Sequence, residues 1–147
     1  MINKLCCLLL LALASNTALA VSILSLKHSP NPTAEPCLDY VGLHRNNDDV
    51  AVSECLMSSS WYFERIGGYL SNKVIIHDSS TAKCLDDLHG SNYVGVWSCN
   101  GNSNQQWTIK GSEIVSGEGN CLDLGANGKI YAWTCHGGAN QQWKIVD

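Results

Sequence analysis

Two short stretches of this chain gather side chains suited to gripping a polar ligand. Asp86 and Asp123 each stand two residues after a cysteine, in Cys84-Leu85-Asp86 and Cys121-Leu122-Asp123. Trp97 and Trp133 each stand two residues before a second cysteine, Cys99 and Cys135. The tetrapeptide Asn-Gln-Gln-Trp then follows, once at Asn104 to Trp107 and again at Asn140 to Trp143. A carboxylate accepts hydrogen bonds from adjacent hydroxyls, an amide both donates and accepts, and an indole offers a flat apolar face. Each group also has a plainer reading. An Asp after a strand caps a turn, and a Trp turned from the core packs under a loop. Asp39, in Cys37-Leu38-Asp39, is the candidate for the capping role alone.

Catalysis requires a nucleophile or an acid/base pair in a pocket, and no such motif is present. Asp86 and Asp87 are adjacent, but neighbours on a strand point to opposite faces. His28, His44, His77, His89 and His136 show no metal-ligand spacing, and Cys135-His136 are too close in sequence for a common chelate. No enzyme activity, metal or cofactor is expected.

The elements that must position these groups begin after residue 20. Met1 to Lys4 is a short basic head, Cys6 to Ala14 an apolar run, and Ala18-Leu19-Ala20 a small-x-small exit. This pattern predicts a signal peptide over residues 1–20, because the run is too short to cross a bilayer. It implies a secreted, extracellular protein, exported through the periplasmic route if bacterial, and no later stretch is long and apolar enough to span. The remaining 127 residues carry eight basic and thirteen acidic groups, a formal charge of −5. Such a balance, without basic clusters, argues against nucleic acid or an anionic membrane surface as partner.

Six cysteines remain, and in an exported chain an even number points to disulfides. Internal repetition selects the pairing. Cys-Leu-Asp recurs at Cys37, Cys84 and Cys121; a second Cys follows after 18, 15 and 14 residues, and a Trp 24, 23 and 22 residues after the first. One bridge inside each repeat is predicted: Cys37–Cys55, Cys84–Cys99 and Cys121–Cys135. The repeats occupy about 21–70, 71–110 and 111–147.

Secondary structure is expected to be strand throughout, since short β-rich runs alternate with Gly, Asn and Ser clusters and no 3.6-residue apolar period is sustained. Three repeats of several short strands suggest a closed, three-fold β structure. Period two sorts the faces. Gln105, Trp107 and Ile109 share one side, as do Gln141, Trp143 and Ile145, with Ser59, Trp61 and Phe63 in repeat one. Trp61, Trp107 and Trp143 therefore read as core. The Gln beside each Trp should bond backbone at the repeat junction, Gln106 and Gln142 should be surface, and Asn104 and Asn140 should face outward. Val94 and Val96, like Ile130 and Ala132, should face the core, which turns Trp97 and Trp133 away from it.

Cys-Leu-Asp, a second Cys and Gln-x-Trp, repeated across Ile23 to Asp147, resemble the ricin B-chain type lectin family. The match is specific in repeats two and three and degenerate in repeat one, where Ser53 replaces the outward Trp and Ser58-Ser59 replace Asn-Gln. The resemblance implies an all-β β-trefoil that binds carbohydrate, in which an aromatic ring carries the C–H face of a pyranose and the Asp receives its hydroxyls. It assigns Asp86, Trp97, Asn104 and Gln105 to one site, and Asp123, Tyr131, Trp133, Asn140 and Gln141 to another. Repeat one is expected to be silent. Gly95 and Tyr131 occupy a place that is often polar in the family; Gly95 loses a contact, whereas Tyr131 can add a hydroxyl or a ring, so repeat three is expected to be the stronger site. Galactose or N-acetylgalactosamine is the implied ligand, with xylan-type glycans as the alternative. The rival functions are an accessory targeting subunit of a multi-subunit toxin, joined to a separate catalytic chain, and a protein-binding trefoil without sugar affinity. Residues 21–36 and Trp61 to Arg65 are the candidate docking surface.

Overall fold

A computed structural model of the protein describes residues 20–26, 36–43, 45–55, 61–88 and 91–146. The predicted signal peptide, apart from Ala20, lies outside them, as do Ser58 and Ser59. Twelve strands follow in order: β1 (Ser22–Ser25), β2 (Pro36–Val41), β3 (Asp48–Glu54), β4 (Trp61–Arg65), β5 (Lys73–Asp78), β6 (Cys84–Asp87), β7 (Val94–Trp97), β8 (Gln106–Lys110), β9 (Glu113–Ser116), β10 (Asn120–Leu124), β11 (Ile130–Thr134) and β12 (Trp143–Val146). Two 3-10 turns, Ser103–Gln105 and Ala139–Gln141, precede β8 and β12.

Outer strands of the repeats close a ring. The pairs β4–β5, β8–β9 and β12–β1 join each repeat to the next in antiparallel register. Within repeats, β5 pairs β8, Val21 bridges Trp61, and the Trp143 amide donates to the Ser112 carbonyl at 2.8 Å. Closure leaves these strands without open edges. Gly111, with φ +59°, makes the tight turn from β8 to β9 in a conformation that costs other residues more. The inner pairs β2–β3, β6–β7 and β10–β11 form three hairpins.

Ile23, Leu38, Trp61, Ile76, Leu85, Trp107, Ile114 and Leu122 fill the centre, all essentially without solvent exposure, and Trp143 joins them. An indole N–H buried without a partner is costly, and all three core tryptophans solve this alike. Trp61, Trp107 and Trp143 donate to the carbonyls of Leu38, Leu85 and Leu122 at 3.0, 3.0 and 2.9 Å. These are the leucines of the three Cys-Leu-Asp segments, so the bond ties each last strand to its own hairpin. The disulfides are Cys37–Cys55, Cys84–Cys99 and Cys121–Cys135, one per repeat as the spacing predicts.

The proposed docking strand is occupied internally. Trp61 is buried, Phe63 packs on the core, Tyr62 stacks on His77 at 4.4 Å, and Glu64 meets His77 Nε2 at 2.9 Å. His77 Nδ1 also lies 3.4 and 3.5 Å from the sulfurs of Cys84 and Cys99. Those sulfurs are bonded to each other and offer no thiolate to a metal.

Replacing Trp107 by Phe removes ring volume and orphans the Leu85 carbonyl. The expected loss is about 2–4 kcal/mol, read from the midpoint of guanidinium unfolding with the disulfides intact. The double change Cys84→Ser/Cys99→Ser opens a loop of 15 residues; about 2–4 kcal/mol should be lost, with a lower Tm in calorimetry.

Candidate functional site

Asp86 sits on β6 opposite Gly95 of β7, and Cys84 sits opposite Trp97. This register places the Asp and the outward Trp on one face of the hairpin. The Asn-Gln pair arrives differently from the sequence expectation. Asn104 and Gln105 belong to a 3-10 turn and not to β8, so strand alternation does not orient them. The tight turn aims both amides at one carboxylate: Asn104 Nδ2 donates to Asp86 Oδ1 at 2.7 Å, and Gln105 Nε2 donates to Oδ2 at 2.8 Å.

Gln105 is fully buried and fully engaged. Besides Asp86, its Nε2 reaches the Ser98 carbonyl at 3.1 Å, and its Oε1 accepts the amides of Asn100 and Gly101 at 2.8 and 3.3 Å. The expected bonds to backbone are made, but inside the same repeat and not at a junction, because the chain after Cys99 loops over the amide. Gln106 is not mere surface either. Its Nε2 bonds the Gly101 carbonyl at 2.9 Å, and the equivalent Gln142 accepts a bond from Ser112 Oγ.

Repeat three repeats the arrangement. Asn140 Nδ2 and Gln141 Nε2 both donate to Asp123 Oδ2 at 2.8 Å, and Gln141 also reaches the Thr134 carbonyl and the His136 amide. Cys121 sits opposite Trp133, and Asp123 opposite Tyr131. Trp133 is 50% exposed, whereas Trp97 is the more buried of the two. Two features distinguish this site. His136 Nε2 lies 3.5 Å from Asp123 Oδ2, where repeat two has Asn100 after its cysteine. Tyr131 has its hydroxyl held by Asn127 at 2.9 Å, its ring 5.1 Å from that of Tyr93, and Gly125 beneath it, where a Cβ would meet the ring at 2.5 Å.

Repeat one has the scaffold without the constellation. Ser53 takes the register place of the Trp, opposite Cys37, and its hydroxyl donates to Asp39 at 2.7 Å. Asp39 lies within β2 and not after it. Asp86 and Asp123 likewise sit in strands, and both receive side-chain amides.

A cleft of about 680 Å³ opens over repeat two. Asp86, Trp97, Asn104 and Asn100 form one side of it. Asn47 and Asp49 of β3 and its preceding turn, with Leu88, Ser91 and Tyr93, form the rest. Sequence reasoning missed Asn47, Asp49 and Tyr93. Asn100 could have been found as the residue after Cys99, matching His136; the repeat-one residues carry no such signal because they reach repeat two only through the fold. Asp48, between them, has its carboxyl held below the usual range by the Tyr40 hydroxyl at 2.5 Å and then by the Arg45 amide at 2.6 Å. Lys129 is pushed above its ordinary value by Asp49, which it meets at 3.0 Å.

The profile of the ricin-type beta-trefoil lectin domain matches residues 28–143. Among solved structures, the designed three-fold symmetric protein ThreeFoil superimposes with a TM-score of 0.73 at 19% identity, over 87% of this chain and 98% of that one. An exo-beta-1,3-galactanase from Clostridium thermocellum gives 0.72 at 23% identity, over 90% of this chain and 30% of that one. A Polyporus squamosus lectin bound to a human-type influenza-binding epitope gives 0.71 at 17% identity, over 87% of this chain and 48% of that one. This chain thus spans less than half the length of the galactanase and of the lectin. A search of curated proteins returns no match. The match across most of its length, on a three-repeat β frame, makes this chain a member of the ricin-type beta-trefoil lectin domain family.

Proposed function

We propose that the protein is a secreted lectin that binds galactose- or N-acetylgalactosamine-type glycans at two sites, Asp86–Trp97–Asn104 and Asp123–Trp133–Asn140. The observation that carries this reading is the duplicated carboxylate–amide pair beside an outward Trp. No trefoil scaffold needs it, and repeat one folds with Ser53 and Asp39 in its place. The carboxylate is nearly buried and held from below by a Gln, so its orientation is set before a ligand arrives. Preorganisation of this kind reduces the cost of binding. Asn104 and Asn140 stand at the solvent side of the same carboxylates and complete the polar edge, while the Trp supplies an apolar platform. The protein performs no catalysis of its own in this reading. The signal peptide at residues 1–20 and the three disulfides fit export. Among the described residues no helix is long and apolar enough to cross a membrane.

A targeting role within a toxin, or a protein partner, is the second reading. The feature that favours it is the turn between β4 and β5, where Tyr69 and Leu70 are 90% and 94% exposed. If a partner docks there, Tyr69→Ser/Leu70→Ser abolishes its capture from the native secretion while glycan binding persists.

Open sites of this kind should bind a single sugar with Kd of about 0.1–1 mM, strengthened on a multivalent surface by avidity. On a glycan array the double change Asp86→Ala/Asp123→Ala should abolish galactoside binding with the fold retained by circular dichroism. Binding that survives this change would sink the site assignment. Asn104→Ala and Gln105→Leu separate ligand contact from support. The first should weaken galactoside binding at repeat two with little effect on unfolding. The second removes one donor from Asp86 and the acceptor of the Asn100 amide and should cost about 1–3 kcal/mol of stability by denaturant titration.

A further inference from the structure

A glycine stands between two of the acidic residues that line the cleft over repeat two. Gly95 lies opposite Asp86 on β6 and opposite Asp49 on β3, so three neighbouring strands place Asp86, Gly95 and Asp49 in one row. Residues directly opposite on antiparallel strands share a face. The two acidic residues therefore flank a glycine, on backbones about 10 Å apart at two strand spacings. Along β7 the same face carries Tyr93 before Gly95 and Trp97 after it, about 13 Å from one to the other. All four side chains line the cleft.

The glycine is structurally required, and Leu88 covers it. A Cβ on Gly95 would stand 2.7 Å from the Asp48 carbonyl and 2.9 Å from Leu88 Cδ1. Close approach of β3 thus removes the side chain from repeat two and, in the same row, brings in Asp49 from repeat one. At the matching place repeat three has Tyr131, packed over Gly125 and against Tyr93. Among the described residues, repeat two alone combines this glycine with an acidic residue on either side and an aromatic ring at either end.

We infer that the repeat-two site takes a glycan of at least two sugar units, with Asp49 and Tyr93 forming a second subsite beside Asp86 and Trp97, while repeat three takes a single terminal unit. The cleft's size belongs to the range that encloses ligands larger than one pyranose, and two acceptors in one row, with the apolar Leu88 between them over Gly95, suit a chain whose hydroxyls project to both sides. Repeat one, without a site of its own, then helps set the specificity of its neighbour. This inference rests on the lectin reading and adds chain length to it.

The test measures methyl β-galactoside and β1,3-linked galactobiose by calorimetry on Asp123→Ala protein, in which repeat two acts alone. Galactobiose should bind about tenfold more tightly. Asp49→Ala or Tyr93→Ala, added separately, should bring the ratio of the two affinities toward one. Lys129→Met breaks the ion pair with Asp49 but leaves its carboxylate, and should keep the ratio. Asp86→Ala protein, reporting repeat three, should show a ratio near one. A ratio near one in Asp123→Ala protein, or one that survives both Asp49→Ala and Tyr93→Ala, overturns the inference and leaves the lectin reading standing. Failure of the unaltered protein to bind either probe overturns the lectin reading itself.

Discussion

The indole N–H of each core tryptophan reaches back 23, 22 or 21 residues to the carbonyl of a buried leucine. That bond decides much of the rest. The leucine is followed by the Asp of each Cys-Leu-Asp segment and preceded by the disulfide, so fixing its carbonyl fixes the strand that carries both. The tryptophan begins or nearly begins the repeat's last strand, and in repeats two and three the residue two before it is the buried Gln that grips the Asp. One core contact thus sets the distance across which the Gln can reach the carboxylate. Repeat one keeps the scaffold with other side chains: Trp61 still bonds Leu38, while Asp39 receives the Ser53 hydroxyl across the hairpin.

The candidate sites are therefore extensions of the core. Asp86 is 2% exposed and Asp123 7%, and a carboxylate at that depth must be surrounded by donors. Gln105 and Gln141 supply them from below, and Asn104 and Asn140 from the solvent side. The four-residue motif thereby divides its work by depth: solvent-side amide, buried supporting amide, a second amide that bonds a turn, and the core ring.

The three hairpins also touch one another in a cyclic order. Asp49 pairs with Gly95, Tyr93 with Tyr131, and Lys129 with Ala51. In each case a residue six before a second cysteine meets one four before the next. These positions hold the acid, ring and base that join the repeats: Asp49 meets Lys129 at 3.0 Å, and Lys129 lies 5.8 Å from the Tyr93 ring centre. Symmetry of backbone with divergence of side chain makes the two sites unequal. The described cleft lies over repeat two, where Leu88 covers Gly95; in repeat three Tyr131 packs over Gly125 instead.

Repeat count, the disulfide pairing, the core tryptophans and the outward tryptophans were legible in the sequence, because each depends on spacing within one repeat. Asp86 and Asp123 were legible for the same reason. The role of each Gln was not, since alternation assumes a strand and the Asn-Gln pair sits on a 3-10 turn, a choice made by hydrogen bonds that the packed chain alone can offer. Nor were Asn47, Asp49 and Tyr93 legible as neighbours of the repeat-two carboxylate. The sequence by itself determined what each repeat contains: a Cys-Leu-Asp hairpin, a bridge and a core ring. Only the tertiary structure decided what each repeat lends to the next, because contacts between hairpins arise when the ring of strands closes, and no local pattern encodes which face then meets which.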